Sequence, residues 1–140
     1  MKMYPINHIC ISVSNLEQSI LFYEQVFQAK LLVKGRQTAY FDVKGKWLAL
    51  NEQPDISREE IYQSYTHIAF SINLEELEKV RNRLNQLGVQ LEPGRKRHPR
   101  DRKSIYFRDP DGYLYEFHTG TLKERLEYYR DEKPHMTFFE

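Results

Sequence analysis

The segment His8-Ile9-Cys10-Ile11-Ser12 returns later in the chain as His67-Ile68-Ala69-Phe70-Ser71, and the residues after each copy are also alike. Self-similarity of this kind means one supersecondary unit used twice. Each copy leads into an asparagine-leucine pair, Asn15-Leu16 and Asn73-Leu74, followed by acidic residues. A side-chain acceptor at the cap and negative charge in the first turn both favour a helix start, so a helix is predicted after each first strand. Leu16, Ile20, Tyr23 and Phe27 then fall on one helical face, as do Leu77, Val80, Leu84 and Leu87. The second helix is predicted to stop at Gly88, where a left-handed residue suits the terminus, with Val89-Gln90-Leu91 starting a strand broken at Pro93-Gly94.

Paired strand-forming runs follow in both halves. In the first, Thr38-Ala39-Tyr40-Phe41-Asp42-Val43 and Trp47-Leu48-Ala49-Leu50 flank a turn at Lys44-Gly45-Lys46. In the second, Ser104-Ile105-Tyr106-Phe107 and Tyr113-Leu114-Tyr115-Glu116-Phe117-His118 flank Asp109-Pro110-Asp111-Gly112. The plan is therefore α+β, two βαβββ modules in one domain of 140 residues. Module one covers about 1–53, a connector about 54–65, and module two about 66–120, with a C-terminal helix and tail over 121–140.

A domain of this length buries roughly two-thirds of its unfolded surface, and 40% hydrophobic with 29% charged residues is an ordinary globular balance. No apolar run is long enough for a membrane span, and the start lacks a signal-type leader. With Cys10 as its single cysteine the chain has no internal disulfide, which fits a cytoplasmic location. A net charge of +1 gives no general attraction to nucleic acid or to an anionic membrane, so neither is expected as a partner.

Strand alternation puts His8 and Cys10 on one side of the first strand, and His67 holds the equivalent place in the second module. Glu116 sits in the last strand among aromatic and apolar neighbours, where a carboxylate needs a compensating cation or donor. Two imidazoles and a carboxylate suit a divalent metal with open positions for substrate. Taken singly, each histidine also fits a hydrogen-bonded structural role, and Glu116 also fits an ion pair with an Arg or Lys.

These residues resemble the vicinal oxygen chelate superfamily, and within it the thiol transferases of Gram-positive bacteria that open the epoxide of fosfomycin. The likeness rests on the paired modules, on a histidine in the first strand of each, on Arg108-Asp-Pro-Asp-Gly-Tyr-Leu-Tyr-Glu-Phe-His118, and on Lys133-Pro134-His135-Met136. It implies a curved mixed sheet, exchange of modules in a homodimer, and His8, His67 and Glu116 as ligands of Mg or Mn, with Zn, Ni or Co also able to enter. Glyoxalase-type relatives carry a fourth ligand in the strand Trp47-Leu48-Ala49-Leu50, which here offers no donor.

Arg95, Lys96, Arg97, Arg100, Arg102 and Lys103 crowd one loop of an otherwise balanced protein. Such a cluster fits a solvated loop or a cover that attracts an anionic substrate. By the resemblance, Arg95 and Arg125 hold a phosphonate, Tyr106 hydrogen-bonds it, and Tyr40, Trp47 and Asn51 line the pocket. Glu116, Tyr106 and Arg125 are then the catalytic residues. Relatives that use glutathione bind potassium through a loop of small residues, whereas residues 95–102 here are mostly charged, so no potassium site is expected. The implied reaction joins bacillithiol, or less well L-cysteine, to fosfomycin. Cys10 is read as a substrate contact or as a small buried apolar residue, not as the nucleophile. An extradiol dioxygenase, a glyoxalase-like isomerase and a non-catalytic drug-binding module stand as alternatives on the same fold.

Overall fold

Asn15 closes the first strand and opens the first helix because its side chain accepts a hydrogen bond from the backbone N–H of Gln18 at 3.0 Å. The computed structural model describes residues 1–139. It divides into two units, one of residues 1–64 with 109–113 and one of residues 65–108 with 114 onward.

In the first unit β1 (His8–Val13) is followed by α1 (Leu16–Phe27), β2 (Lys30–Lys34), β3 (Thr38–Val43) and β4 (Lys46–Glu52). The sheet order is β1-β4-β3-β2, with β1 parallel to β4 and the other pairs antiparallel. Every second residue of β3, namely Ala39, Phe41 and Val43, is buried, as are Ile11 and Val13 of β1. The β3 residues meet the α1 face of Leu16, Ile20, Tyr23 and Phe27 that the helical spacing selected. Burial of such side chains contributes about 1.5–3 kcal/mol each, which outweighs the small propensity differences along the helix. The connector carries a further helix, α2 (Glu59–Gln63), too short for apolar periodicity to announce.

The turn Asp109–Tyr113 counts with this first unit although the sequence places it in the second module. Asp109 explains why. Its carboxylate is buried and accepts from the Tyr23 hydroxyl at 2.8 Å and from the backbone N–H groups of Asp111 and Tyr113, both at 2.9 Å. Asp111 in turn accepts from the Ser14 N–H at 2.9 Å and lies 3.5 Å from the Arg58 Nε.

The second unit repeats the plan with β5 (His67–Ser71), α3 (Leu77–Gln86), β6 (Gln90–Glu92), β7 (Ser104–Arg108) and β8 (Leu114–His118), in sheet order β5-β8-β7-β6. Ile105, Phe107, Tyr115 and Phe117 are buried with Leu77 and Leu84 of α3. Here the expected asparagine cap is not made. Asn73 forms no side-chain cap, and a 3-10 turn over Leu74–Glu76 precedes the helix instead. Gly88 does take the left-handed conformation (φ +71°), while Leu87, beyond the helix end, is partly exposed. The last helix, α4 (Leu122–Glu132), starts at Thr121, whose hydroxyl accepts from the Glu124 N–H at 3.2 Å while the Glu124 carboxylate accepts from the Thr121 N–H at 2.9 Å. It packs on a 3-10 turn over Pro99–Asp101. Among the described residues no helix is long and apolar enough to cross a membrane.

Candidate metal and anion site

Each sheet is covered by a helix on one face, and the strand residues singled out from the sequence lie on the other, while Arg95 lies in the loop before β7 and Arg125 in α4. In the first unit the register pairs His8 with Trp47, Cys10 with Ala49, Tyr40 with Ala49 and Thr38 with Asn51. His8, Cys10, Tyr40, Trp47 and Asn51 therefore share one face, since paired residues point to the same side. Their side chains touch. The His8 and Trp47 rings are 4.3 Å apart, Tyr40 meets Trp47 edge-on at 5.1 Å, and the Asn51 amide donates to the Cys10 sulfur at 3.4 Å. Cys10 is exposed, which corrects the reading of it as a buried apolar residue. Asn51 is itself held by the Thr38 hydroxyl at 2.6 Å.

On the corresponding face of the second unit lie His67, Ser104, Tyr106, Glu116 and His118. Glu116 is 6% exposed, and its Oε1 faces the His67 Nε2 at 3.2 Å. Its Oε2 accepts from the Ser104 hydroxyl and from Arg97 Nη2 at 3.1 Å, and lies 3.3 Å from His118 Nδ1. The same Ser104 hydroxyl contacts His118 Nδ1 at 2.6 Å. Burial pulls the His118 pKa below the ordinary histidine value despite the nearby Glu116 carboxylate, with Arg97, Arg125 and Arg95 pushing the same way. A neutral His118 brings no positive charge to Glu116.

Two imidazoles are set up to offer Nε2 to a cation. The His67 ring nitrogen Nδ1 is 2.7 Å from the Tyr65 carbonyl, which only accepts, so Nδ1 donates to it and Nε2 is left directed at Glu116. His67 and Glu116 thus present an imidazole nitrogen and a carboxylate oxygen side by side, two donor types that a divalent cation takes. Asn7 Oδ1 holds His8 Nδ1 in the same manner at 2.7 Å. The donor set thus fits a borderline or hard divalent metal. His67 and Glu116 are brought together. Among the described residues no group of three or more His, Cys, Asp and Glu side chains is arranged to hold an ion.

The basic loop is not a freely solvated one. Arg95 pairs with Asp101 at 3.1 Å, Arg100 with Asp131 at 3.0 Å and Glu132 at 3.1 Å, and Arg102 with Glu124 at 3.1 Å. Arg125 of α4 reaches back to donate to the Asp101 carbonyl at 2.9 Å. Tyr106 is buried, and its hydroxyl meets Arg97 Nη2 at 2.7 Å and the Tyr65 hydroxyl at 2.9 Å. Burial first, and then the hydrogen bond to Tyr65, raises its pKa, so it stays a protonated donor at neutral pH. Arg95, Tyr106 and Arg125 thus belong to one network with Glu116.

Four members of that network had no place in the sequence reading of the site: Tyr65, Arg97, Ser104 and His118. Arg97 was visible only as one of several loop cations. Ser104 and His118 shared the Glu116 face by strand alternation, which was the one signal available for them.

Residues 5–117 match the family model described as the Glyoxalase/Bleomycin resistance protein/Dioxygenase superfamily. Metallothiol transferase FosB of Lysinibacillus sphaericus is 60% identical over 139 residues, covering 99% of both chains. The protein of the same name from Staphylococcus saprophyticus is 54% identical over 135 residues, which is 96% of this chain and 89% of that one. Among solved structures, the fosfomycin resistance protein FosX of Listeria monocytogenes complexed with Mn(II) and sulfate ion superposes with a TM-score of 0.83 at 34% identity, over 91% of this chain and 99% of its own. A mutant of that protein complexed with Mn(II) and 1S,2S-dihydroxypropylphosphonic acid gives 0.82 at 34% identity, with the same coverage.

Proposed function

Because the chain belongs to the glyoxalase/bleomycin resistance protein/dioxygenase superfamily, we propose that it is a metal-dependent transferase that inactivates fosfomycin by adding a low-molecular-weight thiol to its epoxide. The observation that carries this reading is the proximity, within one unit, of a His67–Glu116 donor pair and a set of anion donors built from Arg95, Tyr106 and Arg125. Full-length relatives named as metallothiol transferases support it.

His67 and Glu116 hold the metal with His8, whose Nδ1 is already committed to Asn7. His8 comes from the partner in a homodimer that exchanges modules. The bound divalent ion, Mg or Mn in the cytoplasm, supplies a Lewis acid for the epoxide oxygen. Arg95 and Arg125 orient the phosphonate through planar donors matched to its oxygens, and Tyr106 and Tyr65 add hydroxyl donors. Fixing the phosphonate fixes the epoxide carbon relative to the incoming sulfur, which lowers the entropic part of the barrier. The thiolate sulfur then bonds to a ring carbon, the carbon–oxygen bond breaks, and the released oxygen takes its proton from solvent. Trp47, Tyr40, Asn51 and Cys10 form the wall along which the thiol, bacillithiol or less well L-cysteine, approaches.

Mass spectrometry of fosfomycin incubated with the protein, Mn or Mg and a panel of thiols tests the proposal. An adduct of fosfomycin plus one thiol, dependent on metal, is expected. A diol as the sole product, or oxygen uptake with catechols instead, overturns it.

A further inference from the structure

Asp101 is a buried carboxylate, 5% exposed, in the middle of the basic loop. Its Oδ2 accepts from Arg95 Nη1 at 3.1 Å and from the His98 backbone N–H at 3.0 Å, while its Oδ1 lies 3.6 Å from Arg125 Nε. The backbone carbonyl of the same residue accepts from Arg125 Nη2 at 2.9 Å and from Arg97 Nη1 at 3.3 Å. One residue therefore gathers three guanidinium groups that come from the start of the loop, its middle and helix α4. Arg97 is matched by Glu116, so Arg95 and Arg125 share the single Asp101 charge.

That sharing has a consequence for geometry. Two guanidinium groups drawn to one residue repel one another, and without its carboxylate each gains by turning toward solvent. With it, each spends part of its five donors inward and keeps the rest, and both side chains stay partly exposed, at 38% for Arg95 and 25% for Arg125. The turn that carries Asp101 is itself fixed. Pro99 begins it, His98 caps it and stacks on Tyr128 at 4.8 Å, and Arg100 ties it to Asp131 and Glu132. The Arg95 guanidinium, with the His98 N–H, holds the Asp101 carboxyl down at about 2, so it is ionised at any working pH.

We infer that Asp101 is a positioning residue for substrate binding: it aligns Arg95 and Arg125 as a paired clamp on a tetrahedral anion without touching that anion. The inference rests on the proposed reading of those two arginines as the phosphonate contacts. Its test depends on sign. Replacing Asp101 by the neutral Asn removes a negative charge close to an anion site, and by charge alone that change tightens anion binding. If Asp101 acts by alignment, the same change loosens it.

The experiment compares wild type, Asp101→Asn and Asp101→Glu, all loaded with Mn. Calorimetric binding of methylphosphonate and the KM values for fosfomycin and for the thiol are measured. For Asp101→Asn, methylphosphonate binding is expected to weaken about tenfold and the fosfomycin KM to rise by a similar factor, with the thiol KM within about twofold, because bidentate guanidinium recognition is geometry-dependent. A folding defect instead lowers the active fraction, which reduces kcat and leaves both KM values in place. Asp101→Glu keeps the charge but displaces it by one methylene, and is expected to raise the fosfomycin KM by a smaller factor; it serves as the test if the Asn variant does not fold. Unchanged or tighter methylphosphonate binding in Asp101→Asn overturns the inference, as does an unchanged fosfomycin KM in both variants. A wild-type protein that neither binds methylphosphonate nor turns over fosfomycin sinks the underlying reading instead.

Discussion

The Nε2 of His67 and the Oε1 of Glu116 face one another at 3.2 Å across the parallel strands β5 and β8, while the other nitrogen of His67 is committed to the Tyr65 carbonyl. Side by side, an imidazole nitrogen and a carboxylate oxygen make two of the donors a divalent cation takes. His67→Ala and Glu116→Gln are each expected to lower Mn affinity by more than the roughly 10- to 100-fold typical of changes outside the ligand set. Calorimetric titration with Mn measures this, and unchanged affinity in Glu116→Gln removes Glu116 from the ligands.

If the third ligand comes from a partner chain, inactive variants complement one another. Mixed after partial unfolding and refolding, His8→Ala and Glu116→Ala should regain roughly a quarter of wild-type activity, because half of randomly formed dimers are mixed and one of the two sites in each is intact. Zero recovery, with mixed dimers shown to be present, argues that His8 serves its own chain.

Arg97 places a positive charge 3.1 Å from the Glu116 carboxylate, on the oxygen opposite His67. A cation nearby raises the cost of adding a second one. Arg97→Gln keeps a donor for the Tyr106 hydroxyl and is expected to tighten Mn binding by about tenfold at low ionic strength, less at high salt. Weaker Mn binding in this variant makes Arg97 a support for Glu116 rather than its competitor.

Gly94 adopts φ +70°, and a Cβ built on it lies 2.7 Å from Cδ2 of Tyr106. Gly94→Ala combines backbone strain of about 1 kcal/mol or more with a clash against a buried ring. The ring must move, and its hydroxyl with it. A raised fosfomycin KM together with a lowered melting temperature is expected, whereas unchanged values of both mean that the loop shifts freely and Tyr106 does not depend on it.

Burial raises the Asp109 carboxyl to about 6, against the opposing hydrogen bonds from Tyr23, Tyr113 and Asp111. A carboxyl whose folded value lies above its unfolded value near 4 keeps its proton longer in the folded state, so stability declines as pH rises through that window. Asp109→Asn has no such proton. Its stability relative to wild type should therefore increase between about pH 4 and pH 6, by up to roughly 2 kcal/mol, in urea melts at stepped pH. A flat difference across that range means that the Asp109 hydrogen bonds offset its burial.

The order of elements was written into local pattern. Alternation in Thr38–Val43 and the helical spacing of Leu16, Ile20, Tyr23 and Phe27 fix which residues face the core, and therefore put His8 and Cys10, or Tyr106 and Glu116, on the opposite face. Period needs only neighbours along the chain, so it survives reading without a structure. Local signals failed where a competing local solution existed, as at Asn73, where a 3-10 turn replaced the side-chain cap.

The partners of each charge were decided by tertiary structure alone. No spacing rule connects Arg97 to Glu116, Arg125 to Asp101, or Tyr23 to Asp109, because those pairs form through space between a loop, a strand and a helix brought together by burial. Sequence determined two like modules and the faces that carry two imidazoles and a carboxylate. The folded chain decided which cation meets Glu116 and which carboxylate orders the arginines, since a charged side chain settles on whichever partner lowers its desolvation cost, and that partner is known only once the packing exists.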